Sequence, residues 1–213
     1  MTTIAPTPLR ATVLADRLLG RSLALDALLI VGGVALIGAF SYLQIPLWPV
    51  PITGQTLAVL LVGSTLGAAR GGISTALYAI VGLIGIPVFA PNPDGSLASG
   101  WQVISGPTGG YILGFVVAAV LVGLLAERRW DRKALKAIAT FAAGSIAVFA
   151  VGLPWLALYL GSIGAPHDLE SVLEAGLYPF LIGGAIKAAI AAGVLPLAWK
   201  CTQRIGDRRT PST

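Results

Sequence analysis

Residues 183–199 read GGAIKAAIAAGVLPLAW, an apolar stretch of membrane-spanning length that contains one lysine, Lys187. A helix needs about 20 predominantly apolar residues to cross the hydrocarbon core of a bilayer. At about 1.5 Å per residue from Leu177, Lys187 lies roughly 15 Å below the outer surface, near the midplane. An ionised lysine there costs about 2.5–3.5 kcal/mol and normally faces a cavity. The stretch therefore predicts a membrane fold, and its buried cation is a candidate functional residue.

Composition favours the same class of protein. Of 213 residues, 56% are hydrophobic and 11% are charged, and the mean hydropathy is +0.86, whereas soluble domains carry about 25% charged residues. Long apolar runs recur at about 23–44, 55–69, 73–90, 109–126, 137–160 and 177–199. We predict an all-α integral membrane protein whose single domain covers residues 1–213. Its parts are a terminal segment (1–22), a bundle of six transmembrane helices (23–199) and a tail (200–213).

The positions of the basic residues predict the topology. Of the 14 Lys and Arg residues, 13 lie before the first run, after the second, after the fourth or after the sixth, and the other three connections contain none. By the positive-inside rule, both termini are cytoplasmic. The net charge of +5 is then explained by topology, with membrane lipid as a secondary partner and no nucleic acid.

An intramembrane enzyme is disfavoured. The single histidine, His167, lies in a predicted outer loop, beside a short amphipathic stretch. Serine proteolysis needs a histidine base within reach of a hydroxyl, and metalloproteolysis needs an HExxH-like set of ligands. We predict no catalytic residue, no metal site and no cofactor. The lone Cys201 has no disulfide partner and is expected to pack or lie at the surface.

Two interpretations of Lys187 remain open. It could pair with another helix, although Asp26 begins the first run at the opposite end and the other carboxylates fall in loops or tails. Alternatively, it binds a ligand. A single fixed cation at the bottom of a pocket suits a monoanion, and a carboxylate is the simplest one.

Two outer connections are candidates for the rest of the pocket. The loop at 91–110 is long for a compact bundle, and such loops are usually lids or binding loops. It ends in SGPTGGY, where Gly109 and Gly110 allow a tight turn with exposed amides, and Thr108 and Tyr111 supply hydroxyls. A glycine-rich start to a packed helix is the other explanation. Residues 45–56 contain three prolines, which favour an extended strap. Trp48 is either an interface anchor or part of a gate.

The chain resembles a known family in four blocks. They are IPLWPVPITGQTLAVLLVGSTLGAARGG (45–72), YAIVGLIGIPVFAP (78–91), GPTGGYILGF (106–115) and PFLIGGAIKAAIAA (179–192). In order and spacing they resemble BioY, the biotin-binding S component of energy-coupling factor (ECF) transporters. The resemblance covers residues 25–199. It implies an S-component bundle in a prokaryotic plasma membrane, which takes biotin from outside with a transmembrane coupling subunit and two cytoplasmic ATPases.

Site residues follow from this resemblance. It makes Lys187 a biotin contact, residues 107–111 part of the binding wall and residues 45–55 the gating loop. Phe89 would pack on the bicyclic ring, and Asn92 or Gln55 would hydrogen-bond the ureido group. The chain departs from the family pattern at one position: many members of the family it resembles have an Asp three residues before this lysine, and this chain has Gly184 there.

A small-residue stripe on the first helix suggests a docking surface. Ala35 and Ala39 lie four apart on one face, and S components use such a stripe to dock the coupling subunit because small side chains let helices approach closely. Packing within this chain is the alternative. For the chain as a whole, an S component for another small anionic vitamin or heterocycle and an unrelated intramembrane enzyme remain the alternatives to biotin uptake.

Overall fold

The computed structural model describes residues 13–19 and 22–207, so most of the predicted terminal segments, including Arg10, Arg21, Arg208 and Arg209, lie outside the described residues. Helices dominate the described chain. They are α1 (Leu14–Leu19), α2 (Leu23–Ser41), α3 (Gln55–Leu66), α4 (Ala68–Leu83), α5 (Trp101–Ile104), α6 (Gly109–Glu127), α7 (Ala134–Ser162), α8 (Leu169–Gly176) and α9 (Tyr178–Asp207), with a 3-10 helix at Trp130–Arg132. Strands β1 (Gln44–Ile45) and β2 (Ile52–Thr53) form the sheet.

Four of the described helices are long and apolar enough to cross a membrane. They are α2, α6, α7 and the part of α9 from Tyr178 to Thr202, with 19, 19, 29 and 25 residues. Helices α3 and α4 are apolar but have only 12 and 16 residues, which is shorter than the predicted runs at 55–69 and 73–90. Gly67, with a φ of +87°, separates them, a conformation that glycine adopts without steric cost.

Helix α6 is the centre of the bundle. Of an 18-residue apolar stretch of α6, 61% is buried inside the protein, whereas the corresponding shares are 22% for α2, 28% for α7 and 11% for α9. It packs against α3, α4 and α7. Close approach depends on glycine, since a Cβ on Gly63 would lie 2.6 Å from the carbonyl oxygen of Ala119. The less buried helices present their apolar faces outward, as expected of helices in lipid.

Residues 44–53 form a β-hairpin, which we call the strap. Gln44 pairs with Thr53 and Ile45 with Ile52 in antiparallel register. The Trp48–Pro49 peptide bond in the loop is cis. The predicted extended segment is therefore a hairpin. Its prolines exclude a helix, and pairing between the two strands satisfies backbone polar groups instead.

Candidate functional site

A cavity of about 460 Å³ lies at the end of the bundle covered by the strap. This volume falls in the ~300–1,000 Å³ range of small-molecule sites. The strap, the chain around residues 89–93, the 102–108 turn and the adjoining ends of α3, α4, α6, α7 and α9 surround it. Residues that line it include Gln44, Trp48, Val50, Thr53, Gln55, Tyr78, Phe89, Asn92, Gln102, Thr108, Tyr111, Phe149, Tyr159 and Phe180.

One wall of the cavity is formed by Phe89 and Tyr78. Their rings meet edge to face, with centroids 5.6 Å apart and an interplanar angle of 83°. Phe89 is only 1% exposed, and its ring lies against Gly82, where a Cβ would come within 2.2 Å of it. A helix glycine therefore allows the ring to seat against α4, and the wall offers a flat apolar surface.

The other wall is an aromatic cluster from three helices. Tyr111 of α6 stacks on Phe180 of α9 at 6.2 Å, and Phe149 of α7 contacts both rings edge to face. The Tyr111 hydroxyl donates to the carbonyl of Gly176, at 3.0 Å. This bond holds the ring beside Gly176, the last residue of α8. The hydroxyl is used as a donor there, and the face of the ring stacks on Phe180.

Polar groups lie at the strap side of the cavity. The Gln55 amide donates to the Tyr78 hydroxyl, and its Oε1 accepts from the hydroxyl of Thr53 at 3.1 Å. The Asn92 amide donates to the Ser96 hydroxyl at 2.9 Å. Gln44 donates to the Pro91 carbonyl at 3.0 Å. A few oriented polar groups beside aromatic walls are the usual composition of a ligand pocket.

Lys187 lies just behind this polar side. It is partly buried, and its ammonium donates to the backbone carbonyl of Thr53 at 2.7 Å. Thr53 lines the cavity, and Lys187 itself does not. Within the described part of the chain, no carboxylate lies at ion-pair distance from Lys187. The interpretation in which Lys187 pairs with another helix is thus replaced by a contact with the strap.

The SGPTGGY turn is arranged differently from its predicted form. The amides of Gly109 and Tyr111 donate to the carbonyls of Gly106 and Thr108, so these amides are not exposed to a ligand. A Cβ on Gly110 would lie 2.2 Å from Trp155 Cβ. The glycines therefore permit close packing of α6 on α7, which was the alternative explanation.

The structure brings most, but not all, of the candidate residues together. Those that line the cavity are Trp48, Gln55, Phe89, Asn92, Thr108 and Tyr111, whereas Gly109, Gly110 and Lys187 do not. Sequence reasoning missed Gln44, Tyr78, Phe149 and Phe180. Tyr78 and Phe180 fall inside the resembling blocks, so their polar and aromatic character was a usable signal. Phe149 carried none, because an apolar residue in an apolar helix looks like core.

Other candidates lie away from the cavity. Ala35 and Ala39 are both exposed on α2, and so is Cys201 on α9. His167 is exposed, and Asp168 beside it caps the predicted amphipathic helix α8 by accepting from the Ser171 amide at 3.2 Å. Among the described residues no cluster of His, Cys, Asp or Glu could hold a metal ion.

Helices long and apolar enough to cross a membrane, together with an aromatic-walled cavity of small-molecule size, define the class of a membrane protein with a pocket suited to a small ligand. The BioY family model matches residues 12–204. The chain belongs to the BioY family.

Relatives and a solved structure agree with this assignment. The biotin transporter BioY of Thermotoga maritima is 36% identical over 162 residues, which are 74% of this chain and 86% of the relative. The biotin transporter BioY2 of Lactococcus lactis is 35% identical over 164 residues, 76% and 83% of the two chains. The crystal structure of the S-component for biotin from an ECF-type ABC transporter superposes with a TM-score of 0.68 at 26% identity, covering 82% of this chain and 90% of that one.

Proposed function

We propose that this chain is the biotin-binding and uptake subunit, the S component, of an ECF-type ABC transporter. The cavity carries the proposal: its aromatic walls and one polar side match a ligand that is mostly apolar with a few hydrogen-bonding groups. Biotin has an apolar valeryl chain and thiolane, a polar ureido head and one carboxylate. The names of the relatives support biotin in particular.

The groups around the cavity have complementary roles in this proposal. Phe89 packs on the bicyclic ring, since a flat buried ring favours apolar contact. Asn92 and Gln55 lie within the lining and serve the ureido group as hydrogen-bond partners. Trp48, 69% exposed at the tip of the strap, forms the gate. Thr108 and Tyr111 contribute to the wall, while Gly109 and Gly110 shape it by letting α6 approach α7.

Lys187 provides the charge for the carboxylate. An ammonium has three donors, of which one is used on the Thr53 carbonyl. Two therefore remain for an anion that reaches the strap side of the cavity. Because the surroundings are of low polarity, even a charge held slightly behind the wall attracts an anion more strongly than it would in water.

The membrane arrangement follows the distribution of charge. We infer a single membrane domain with six crossings, in which the short helices α3 and α4 complete the bundle and both termini face the cytoplasm of a prokaryotic cell. The basic stretch at 128–136 joins α6 to α7 and includes the first residues of α7. It contains five Lys and Arg residues and lies at the end opposite the cavity. By the positive-inside rule, this end is cytoplasmic and the cavity opens outward.

Energy comes from partner subunits. A transmembrane coupling subunit docks on the exposed α2 face that carries Ala35 and Ala39, and cytoplasmic ATPases bound to it hydrolyse ATP. Ala35→Trp should abolish copurification with the coupling subunit, because a large side chain separates the two helices. Ile146→Trp, on a 68% exposed position of α7, is the matched control. Unchanged copurification of Ala35→Trp would reject this docking face.

Uptake of labelled biotin tests the function. The chain is expressed with an ECF coupling subunit and its ATPases in a bacterial host without its own biotin transporter. Accumulation of biotin that depends on this chain, with none of thiamine or riboflavin, is the expected result. Accumulation of one of those vitamins instead of biotin would favour a different substrate, and none of any would reject uptake.

A further inference from the structure

The contact between Lys187 and Thr53 joins two distant parts of the chain. The lysine lies on α9, and Thr53 lies 134 positions earlier, in β2 of the strap. The two elements also pack together, because Gly183 faces the Ile52 side chain at 3.8 Å from its ideal Cβ position. Lys187 is thus a point at which α9 holds the strap.

The rest of the strap is fixed differently at its two ends. At the β1 end, Tyr42 donates to the Pro87 carbonyl at 2.8 Å and Gln44 to that of Pro91 at 3.0 Å. At the β2 end, the side chain of Thr53 bonds Gln55, its nearby neighbour in the chain. The contact from Lys187 is therefore the one among these that ties the β2 end to a remote helix.

A charged donor makes this contact stronger than a neutral one. Hydrogen bonds from an ionised group are roughly twice as strong as neutral ones, and lysines inside membranes typically pair with carboxylates or with backbone carbonyls. With no carboxylate at ion-pair distance in the described chain, the carbonyl of Thr53 takes that role. Gly184, three residues before Lys187, has open space at its ideal Cβ position.

We propose that Lys187 is a positioning residue that holds the strap closed over the cavity, in addition to its electrostatic role toward the ligand. The same ammonium can bond Thr53 and a ligand oxygen at once, because it has three donors. An anionic ligand then stabilises closure through a group that the strap already uses. The positioning role of Lys187 concerns the empty protein, whereas the stabilisation of closure by an anionic ligand rests on the proposed function.

Cysteine protection measures closure directly. Val50 lies in the strap, lines the cavity and is 4% exposed, so Val50→Cys reports strap opening by its reaction with a maleimide. Cys201 is replaced by serine to remove the natural thiol. Without ligand, adding Lys187→Met should raise the labelling rate about tenfold, the effect of losing one charged hydrogen bond. Lys187→Arg, which keeps charge and donors, should stay close to the parent.

Controls separate strap opening from unfolding. Ala126→Cys, at a fully buried position at the far end of α6, should stay protected in both backgrounds. Lys187→Leu is a second variant without the donor, used if Lys187→Met loses that protection. A labelling rate at Val50→Cys that is unchanged by removal of the ammonium would overturn the proposal.

Labelling in the presence of biotin separates the positioning role of Lys187 from the proposed binding of biotin. Saturating biotin should slow labelling of Val50→Cys further in the parent and less so in Lys187→Met. If the parent binds no biotin but Lys187→Met still opens the strap, the proposed substrate fails and the positioning role stands. If biotin binds and protects Val50→Cys equally in both, the shared ammonium is rejected while the substrate stands.

Discussion

At the end of the bundle where α3 meets α4, Arg70 donates to Asp16 at 2.6 Å and to Asp26 at 2.8 Å, whereas at the cavity end Lys187 contacts a backbone carbonyl. We call the first region, which includes Glu127 and the 3-10 helix, the closed end. Arg70 is matched there by carboxylates from α1 and α2. The cation of the cavity end has donors to spare, which is what a site for an anionic ligand requires.

The packing of α9 beside Lys187 also differs from the packing of α6 at the closed end. At the closed end, a Cβ on Gly123 would lie 2.3 Å from the backbone nitrogen of Ala68, and Glu127 Oε1 accepts from that same amide at 2.9 Å. At the cavity end, a Cβ on Gly184 would meet no atom within 4 Å. Helices α6 and α4 are therefore in close contact at Gly123, whereas α9 has open space at Gly184, which does not line the cavity.

Removal of the Arg70 side chain should have the largest effect on stability. Arg70→Met takes from Asp16, whose side chain is 2% exposed, a charged partner, and loss of one member of a buried ion pair costs about 3 kcal/mol or more. Thermal unfolding in detergent, followed by circular dichroism, measures it. Arg128→Met, at an exposed position, should change the midpoint little. Equal effects of the two variants would show that the ion pairs of Arg70 do not stabilise the closed end.

Alanine at the two glycines should act with opposite signs. Gly123→Ala forces α6 away from the start of α4 and should destabilise by about 1–3 kcal/mol, as overpacking does. Gly184→Ala has free space and should stabilise by about 0.5–1 kcal/mol, since alanine loses less backbone entropy in a helix. The same unfolding measurement compares them. Destabilisation by Gly184→Ala would contradict open space at this position of α9.

Two carboxylates should show smaller and opposite pH effects. At the closed end, Asp131 is fully buried and accepts from the Trp199 indole, and its burial raises the pKa of the carboxyl. A raised pKa in the folded state means that stability falls as pH rises through that pKa. Asp131→Asn should therefore gain in unfolding temperature relative to the parent as the pH rises from about 4 to 7.

Asp94, in the loop beside the cavity, is the counterpart. Its carboxylate accepts from the hydroxyl of Ser96 at 2.6 Å and from its amide at 2.9 Å, and these bonds lower its pKa. Its contribution is present above the ordinary aspartate pKa and is lost as the pH falls. Asp94→Asn should thus lose unfolding temperature relative to the parent as the pH rises from about 2 to 5, the interval around and below the ordinary aspartate pKa. The same direction for both variants would count against these environments.

Helices were more predictable than the contacts between them. Apolar runs predicted α2, α6, α7 and α9 closely, because length and hydropathy are local properties. The lengths of α3 and α4 were overestimated. The chain is apolar on both sides of Gly67, so the turn at this glycine was not visible in the hydropathy. The strap hairpin was not predicted, because two-residue strands leave almost no periodic signal.

Site residues divide along the same line. Phe89, Gln55 and Tyr111 were placed by resemblance and line the cavity. The partner of Lys187 could not be predicted, since a backbone carbonyl has no residue type to recognise. The role of Gly110 depends on Trp155 of a neighbouring helix, and one sequence does not reveal which helix faces which. Tertiary contacts of this kind decide whether a glycine exposes an amide or admits a ring.

Calorimetric titration of biotin into the purified, detergent-solubilised protein tests the central claim most directly, with Lys187→Met and Lys200→Met beside the parent. Lys200 lies on the same helix at an exposed position and is the matched control. We predict submicromolar binding by the parent, weakened about 100-fold by Lys187→Met, as for a desolvated charge pair, and unchanged by Lys200→Met. A well-folded parent that binds no biotin, or equal affinities in all three proteins, would contradict a cavity in which Lys187 attracts an anionic vitamin.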